Sequence, residues 1–101
     1  MQTEIKILAA LSCDKRLLIL DWLKQPKKHF PVQLYGDLKD DGVCSVRIAE
    51  KLGISQPTTS RHMNLLVGAG LVRVKKIRQW AFYKRDEQTI ATAKKLISNI
   101  F

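Results

Sequence analysis

Acidic residues are almost missing from one long stretch of the chain. Between Val43 and Arg85 there are nine Lys or Arg and a single acid, Glu50, so this stretch carries +8 of the chain's +9. A surface that is merely solvated mixes its signs, so the imbalance points to a polyanionic partner, nucleic acid or an anionic membrane surface. Long apolar runs are missing too: none approaches the roughly 18 residues of a membrane span. The opening Met1-Gln2-Thr3-Glu4-Ile5-Lys6-Ile7-Leu8 lacks the cationic start and cleavage site of a signal peptide. Cysteine is scarce, and Cys13 and Cys44 are too few and too irregularly placed for a disulfide framework. These absences together predict a soluble cytoplasmic protein; a membrane-surface binder would need its cations on an amphipathic helix, whereas these lie on a hairpin and a recognition helix, so no membrane partner is expected. Also absent are a phosphate-binding glycine loop, a nucleophile and base in recognisable context, and carboxylates clustered on a helix face. The chain is therefore not expected to be an enzyme, nor to carry a cofactor or a metal.

What is present is a core and a motif. With 46% hydrophobic residues over 101 positions, residues 1–101 make one domain, small enough to gain from a partner subunit. Residues 46–70 read as two helices joined by a tight turn. Ile48, Ala49 and Leu52 recur at helical spacing, and Gly53 ends that helix by taking a left-handed conformation. Ile54 fills the corner, Ser55 caps the next helix, and Pro57 falls in its first turn, where its missing N–H costs nothing. Thr59, Met63 and Leu66 then point inward, and Gly70 closes the helix. The face left over holds Gln56, Thr58, Ser60, Arg61 and Asn64, short hydrogen-bonding side chains and a guanidinium suited to base edges in a major groove. The pattern is a helix-turn-helix with Gln56 to Val67 as recognition helix. An ordinary helical hairpin with a polar face is the plainer reading, and the missing acids weigh against it.

The remaining elements fall in order. Ile5, Leu8 and Ala9 make a stripe on a short helix over 3–12. Leu17, Leu20 and Leu23, flanked by Leu18, Ile19 and Trp22, predict a central core helix wrapped by its neighbours. Pro26 ends it. From Pro26 to Val43 the chain is broken by prolines and glycines, and Phe30, Val32, Leu34 and Leu38 are expected to pack it against the body. Its aspartates Asp37, Asp40 and Asp41 lack the spacing of a known cation loop and read as acidic turn residues. Residues 71–85 form a basic β-hairpin, a wing, carrying Lys75, Lys76 and Arg78. Its natural targets are the DNA backbone and minor groove. Trp80 and Phe82 pack beneath it. With neither Gly nor Asn at the Arg78-Gln79 tip, the favoured two-residue turn is not expected. Asp86 to Phe101 is helical, with Ile90, Ala93, Ile97 and Ile100 at 3-4-3 spacing. That seam, beside Ile5 and Leu8, predicts a homodimer held by helices 3–12 and 87–101.

This order is mainly α with a small β-hairpin: helix, helix, helix-turn-helix, wing, helix. It resembles the ArsR/SmtB family of winged-helix repressors. The residues that carry the likeness are Ala10-Leu11-Ser12 with Lys15 to Leu20, then Ile48 to Gln56, Ser60-Arg61-His62-Met63, Ala69-Gly70-Leu71-Val72, and Trp80 to Tyr83. The likeness covers most of the chain outside Pro26 to Val43. It implies a homodimer that binds double-stranded DNA at a palindromic operator and represses transcription, often releasing DNA when an effector binds. On it, the DNA contacts are Ser55, Gln56, Thr58, Ser60, Arg61, His62 and Asn64 with Lys75, Lys76 and Arg78. Two departures bear on the effector, which stays unknown. Where many members carry Cys-x-Cys, this chain reads Cys44-Ser45-Val46, and its last helix has no histidine. Cys44 and Cys13 therefore read as small apolar residues, a Cys13–Cys44 redox pair being the alternative. His62 reads as a packing or phosphate-contact residue. The competing class is a winged-helix scaffold for protein–protein contacts without DNA-binding activity. Such a scaffold would tend to lose the basic bias and the Ser/Thr/Gln/Arg face.

Overall fold

The computed structural model describes all of residues 1–101. It contains α1 (Gln2–Leu11), α2 (Asp14–Lys24), α3 (Pro26–His29), β1 (Val43–Cys44), α4 (Ser45–Leu52), α5 (Gln56–Gly68), β2 (Val72–Ile77), β3 (Trp80–Arg85) and α6 (Glu87–Ser98). The expected order of helices, helix-turn-helix, wing and final helix is thus present. Two elements are additions. A single turn, α3, starts on Pro26, so the proline that stops α2 also opens the next helix. A two-residue strand, β1, makes the sheet three-stranded and antiparallel, in the order β1-β3-β2. The last helix stops at Ser98 rather than running to Phe101.

The core forms where the helix-turn-helix meets α2 and the root of the sheet. Ile19, Val43, Ile48, Met63, Leu66 and Val72 are essentially sealed from solvent. Thr59 is the one buried polar residue, and its Oγ1 donates to the Ser55 carbonyl at 2.9 Å, so its burial leaves no unmade hydrogen bond. Arg16 fastens α1 to α2, donating from Nε to the Ala10 carbonyl at 2.6 Å and from an amino group to that of Ala9 at 3.2 Å. The Ala10 carbonyl is one that a helix end would otherwise leave orphaned, while that of Ala9 already accepts from the Ser12 N–H at 3.3 Å.

Several packing expectations are overturned. Helix α2 is not wrapped all round: Ile19 and Leu23 are buried, but Leu17 and Leu18 are about half exposed. Leu17 and Leu18 lie on the side of α2 that its neighbours leave open. In the 26–43 segment Phe30 and Leu38 are buried as expected, whereas Val32 and Leu34 stand 89% and 87% exposed. In the single protomer the α6 seam faces its own core only in part. Ala93 is buried, and Ile90 and Ile97 are half-buried against the protomer's own core. Of the residues expected at a dimer interface, only Ile5, Leu8 and Ile100 are left open, at 52%, 41% and 42%.

Candidate nucleic-acid interface

The two helices of the motif are set by matching hydrogen-bonded ends. At the end of α4, Gly53 has φ +70°, its N–H reaches the Glu50 carbonyl at 3.2 Å, and the Ile54 N–H reaches that of Ala49 at 3.2 Å. This is the Schellman pattern. It needs the left-handed residue that glycine supplies cheaply, and it brings Ile54 back over Ala49. The same pair of bonds closes α5, from Gly70 to Val67 at 2.9 Å and from Leu71 to Leu66 at 3.1 Å. Between them Ser55 caps α5, its Oγ accepting from the Thr58 N–H at 3.3 Å. The corner is therefore fixed at both ends by backbone bonds.

From that frame α5 buries Thr59, Met63 and Leu66 and presents Gln56, Arg61 and Asn64 to solvent, with Thr58 and Ser60 half-buried at the edge. Thr58 Oγ1 accepts from both the Ser55 hydroxyl at 2.9 Å and an Arg61 amino group at 3.2 Å. The cap thus extends into a short relay that steadies the guanidinium above the helix N-terminus. His62 departs from the open face. Its Nδ1 lies 2.9 Å from an Arg16 amino group, so the neutral ring accepts there and ties α5 to α2. Burial first, and the charge of Arg16 second, holds the imidazole below its ordinary pKa. Of the roles foreseen for His62, packing is the one it fills.

The wing is built differently. Strands β2 and β3 pair from Val72↔Arg85 to Ile77↔Trp80, so two residues, Arg78 and Gln79, make the turn after all. Arg78 adopts φ +57° in place of the usual glycine, a conformation that costs a bulky residue of order 1 kcal/mol or more. Its guanidinium lies 5.1 Å from the centre of the Tyr35 ring, a cation–π contact that offsets part of that cost. The segment before β1 flanks the whole hairpin. Gln33 donates to the Gly36 and Gly42 carbonyls at 3.3 and 3.0 Å and accepts from the Cys44 N–H at 2.6 Å. Gly42 passes so close to β3 that a Cβ there would lie 2.4 Å from the Tyr83 carbonyl oxygen. Phe82 is buried beneath this loop, as expected of it, and Trp80 is half-buried beside it.

The loop also changes the electrostatics. Lys75 is ion-paired with Asp41 at 2.6 Å, and this bond is the chief reason the Asp41 carboxyl sits below its ordinary pKa. Asp37 caps its own turn, accepting from the N–H groups of Lys39 and Asp40. Arg47, Arg73 and Arg85 are paired with Glu50, Asp86 and Glu87. Four of the nine cations between Val43 and Arg85 are therefore already matched, three of them by acids outside that stretch. Lys76 and Arg78 are exposed without an acidic partner, as is Lys84, which reaches only the Asp40 carbonyl at 3.5 Å. Sequence reasoning missed Lys84, Tyr35 and Asp41, because nothing local in the sequence brings positions 34 residues apart together. The two cysteines are free thiols, both half-buried.

Comparisons with known proteins agree with this geometry. A helix-turn-helix domain family matches residues 32–75. An uncharacterised helix-turn-helix transcriptional regulator of Bacillus subtilis, YbzH, is 41% identical over 86 residues, spanning 85% of this chain and 86% of that protein. A protein of Halobacterium salinarum that carries the name of an arsenical resistance operon repressor, ArsR2, is 29% identical over 88% of this chain and 64% of its own length. Among solved structures, an ArsR family transcriptional regulator superposes with a TM-score of 0.70 at 13% identity, covering 97% of this chain and 86% of its own. HlyU from Vibrio cholerae gives 0.62 at 24% identity, over 94% and 88% of the two chains. These last two likenesses speak for the fold. Fold, motif and a relative aligned over most of both chains converge, and the chain belongs to the ArsR family of winged helix-turn-helix transcriptional regulators.

Proposed function

We propose that the protein is a dimeric, cytoplasmic repressor, without enzymatic activity, that reads a palindromic operator in double-stranded DNA. The observation that carries this reading is the open face of α5. Gln56, Arg61 and Asn64 project, with Thr58 and Ser60, from a helix whose N-terminus is fixed by the Ser55 cap. In a helix that enters the major groove, these N-terminal positions meet base edges. Arg61 donates bidentately to guanine and Gln56 pairs with adenine, while Ser55, Thr58 and Ser60 hold phosphates. Lys76 and Arg78 meet phosphates or a minor groove, and Lys75 joins them only by leaving Asp41. The repressor role follows the relative named for repression. The dimer rests on the open apolar residues Ile5, Leu8 and Ile100, with α1 and the end of α6 as dimerisation elements. Soft metals are not the signal, since Ser45 and Val46 follow Cys44 where a metal site of the Cys-x-Cys kind needs a second thiolate.

Selecting genomic DNA fragments on the purified protein and sequencing those retained tests the reading directly. A shared inverted repeat is expected, protected as two half-sites about one helical turn apart. Retention without sequence preference overturns it and favours the scaffold role. Sedimentation of an Ile5→Glu/Leu8→Glu variant is expected to show monomer, because charges forced into an apolar contact are costly. An unchanged dimer moves the interface elsewhere.

A further inference from the structure

Side chains alternate along β3, so Ala81 and Tyr83 face the main core while Trp80 and Phe82 face the other side of the sheet. There a cleft of about 210 Å³ opens between these two rings, the 33–35 loop and the start of α4. No residue of α1, α5 or α6 lines it, so it lies apart from both the recognition face and the dimerisation elements. Three of its eight lining residues are aromatic, Tyr35, Trp80 and Phe82. Its one charged residue is Arg47, and it holds no acid.

The walls are set before any ligand arrives. Gln33 spends its side-chain amide on the Gly36 and Gly42 carbonyls and the Cys44 N–H. Tyr35 is braced by the Arg78 guanidinium, 5.1 Å from its ring centre. Phe82 is buried, its ring so near Gly36 that a Cβ there would stand 2.7 Å away. Arg47 is only lightly committed. One amino group meets Glu50 at 3.0 Å in a surface pair of the kind worth little in water, and its other nitrogens make no hydrogen bond. Leu34 stands in the lining 87% exposed, an apolar side chain with nothing over it.

We propose that this cleft binds a small aromatic carboxylate, its ring among Tyr35, Trp80 and Phe82 and its head group on Arg47. The aromatic walls favour a flat ring, which gains offset or edge contacts that an aliphatic body lacks. Volume limits the ligand to one ring or a fused pair, since drug-sized molecules need about 300 Å³ or more. The guanidinium favours a carboxylate, which it can hold bidentately in place of Glu50. An apolar segment of a partner protein would cover Leu34 but leave Arg47 without a matching charge. Binding here does not depend on the operator, and it is tested without DNA.

Heteronuclear NMR of the full-length protein titrated with benzoate, at matched ionic strength, reads the cleft directly. Trp80 and Trp22 are the only tryptophans, so Trp22→Phe assigns their two indole N–H signals. The Trp80 signal should shift and saturate while that of Trp22, outside the cleft, stays in place. Benzyl alcohol, with the ring and no charge, should bind roughly tenfold more weakly, the value of a charge-assisted hydrogen bond. Cyclohexanecarboxylate, with the charge and no aromatic ring, should bind roughly threefold to tenfold more weakly. Arg47→Gln should erase the preference for benzoate over benzyl alcohol, the rest of its spectrum showing that the fold is kept. An unmoved or unsaturated Trp80 signal, equal affinity for either analogue, or an undiminished preference in Arg47→Gln each overturns the proposal. A failed titration leaves operator reading untouched, and a failed operator selection leaves the cleft untouched.

Discussion

The recognition helix and the wing reach the same surface by opposite means. Helix α5 is placed from beneath: Thr59, Met63 and Leu66 are sealed in the core, and its ends are closed by local backbone bonds. Its outward side chains are left without acidic partners. The wing is placed from the side, by a loop that stacks Tyr35 on Arg78, pairs Asp41 with Lys75 and threads Gly42 against Tyr83. The helix is a rigid reader with its chemistry free. The wing is an arm whose charge is partly spent on holding it still. The difference teaches that a count of basic residues overstates a DNA-binding surface when a neighbouring loop brings its own acids.

The largest effect expected on this contrast is at the helix's footing. Leu66→Ala should cost about 2–5 kcal/mol by cavity formation, read as a lower urea midpoint with unchanged slope, whereas Tyr35→Ala at the wing should cost under about 1 kcal/mol. Equal losses would mean that the wing is as deeply anchored as the helix.

Next comes Arg61→Ala, expected to erode discrimination between operator and random DNA by about 1–3 kcal/mol in paired titrations. An equal loss on both DNAs would make Arg61 a phosphate clamp and leave base reading to its neighbours.

Smaller again are the wing cations. Lys76→Ala and Arg78→Ala should weaken operator and random DNA alike, lowering the salt slope by about one for each phosphate no longer neutralised. Asp41→Asn should do the reverse. It releases Lys75, raises non-specific affinity and steepens the slope by about one. A slope unchanged by Asp41→Asn would show that Lys75 never turns toward DNA.

The smallest concerns the seam between α5 and α2. The folded-state pKa of His62 lies below its unfolded value, so the native protein binds fewer protons. Stability is therefore flat above the unfolded value near 6.5 and declines as pH falls from there toward the lower folded pKa. Thermal melts between about pH 7.5 and 5 should show this decline, and His62→Gln should flatten that part of the curve. A variant that keeps the full decline would place the titration elsewhere.

What was legible in the sequence was whatever depends on neighbours in the chain. The helix-turn-helix could be read because Gly53, Ser55 and Pro57 act within a few residues of themselves, and a helical period of about 3.6 residues assigns Thr59, Met63 and Leu66 to one face without reference to the rest of the fold. The turn at Arg78-Gln79 departs from its local expectation because strand pairing and the Tyr35 stack over-determine it, overriding the local preference for glycine. The α6 stripe correctly announced an apolar contact, but periodicity fixes which face is greasy and not which body covers it. Only the packed structure turned Ala93 inward and exposed Val32 and Leu34. The same holds for charge. Its excess and its place along the chain were determined by sequence alone, since those are sums over residues. The tertiary fold decided which charges are free, because an ion pair such as Asp41 with Lys75 depends on distance in space, and 34 residues of chain had to fold before that distance existed.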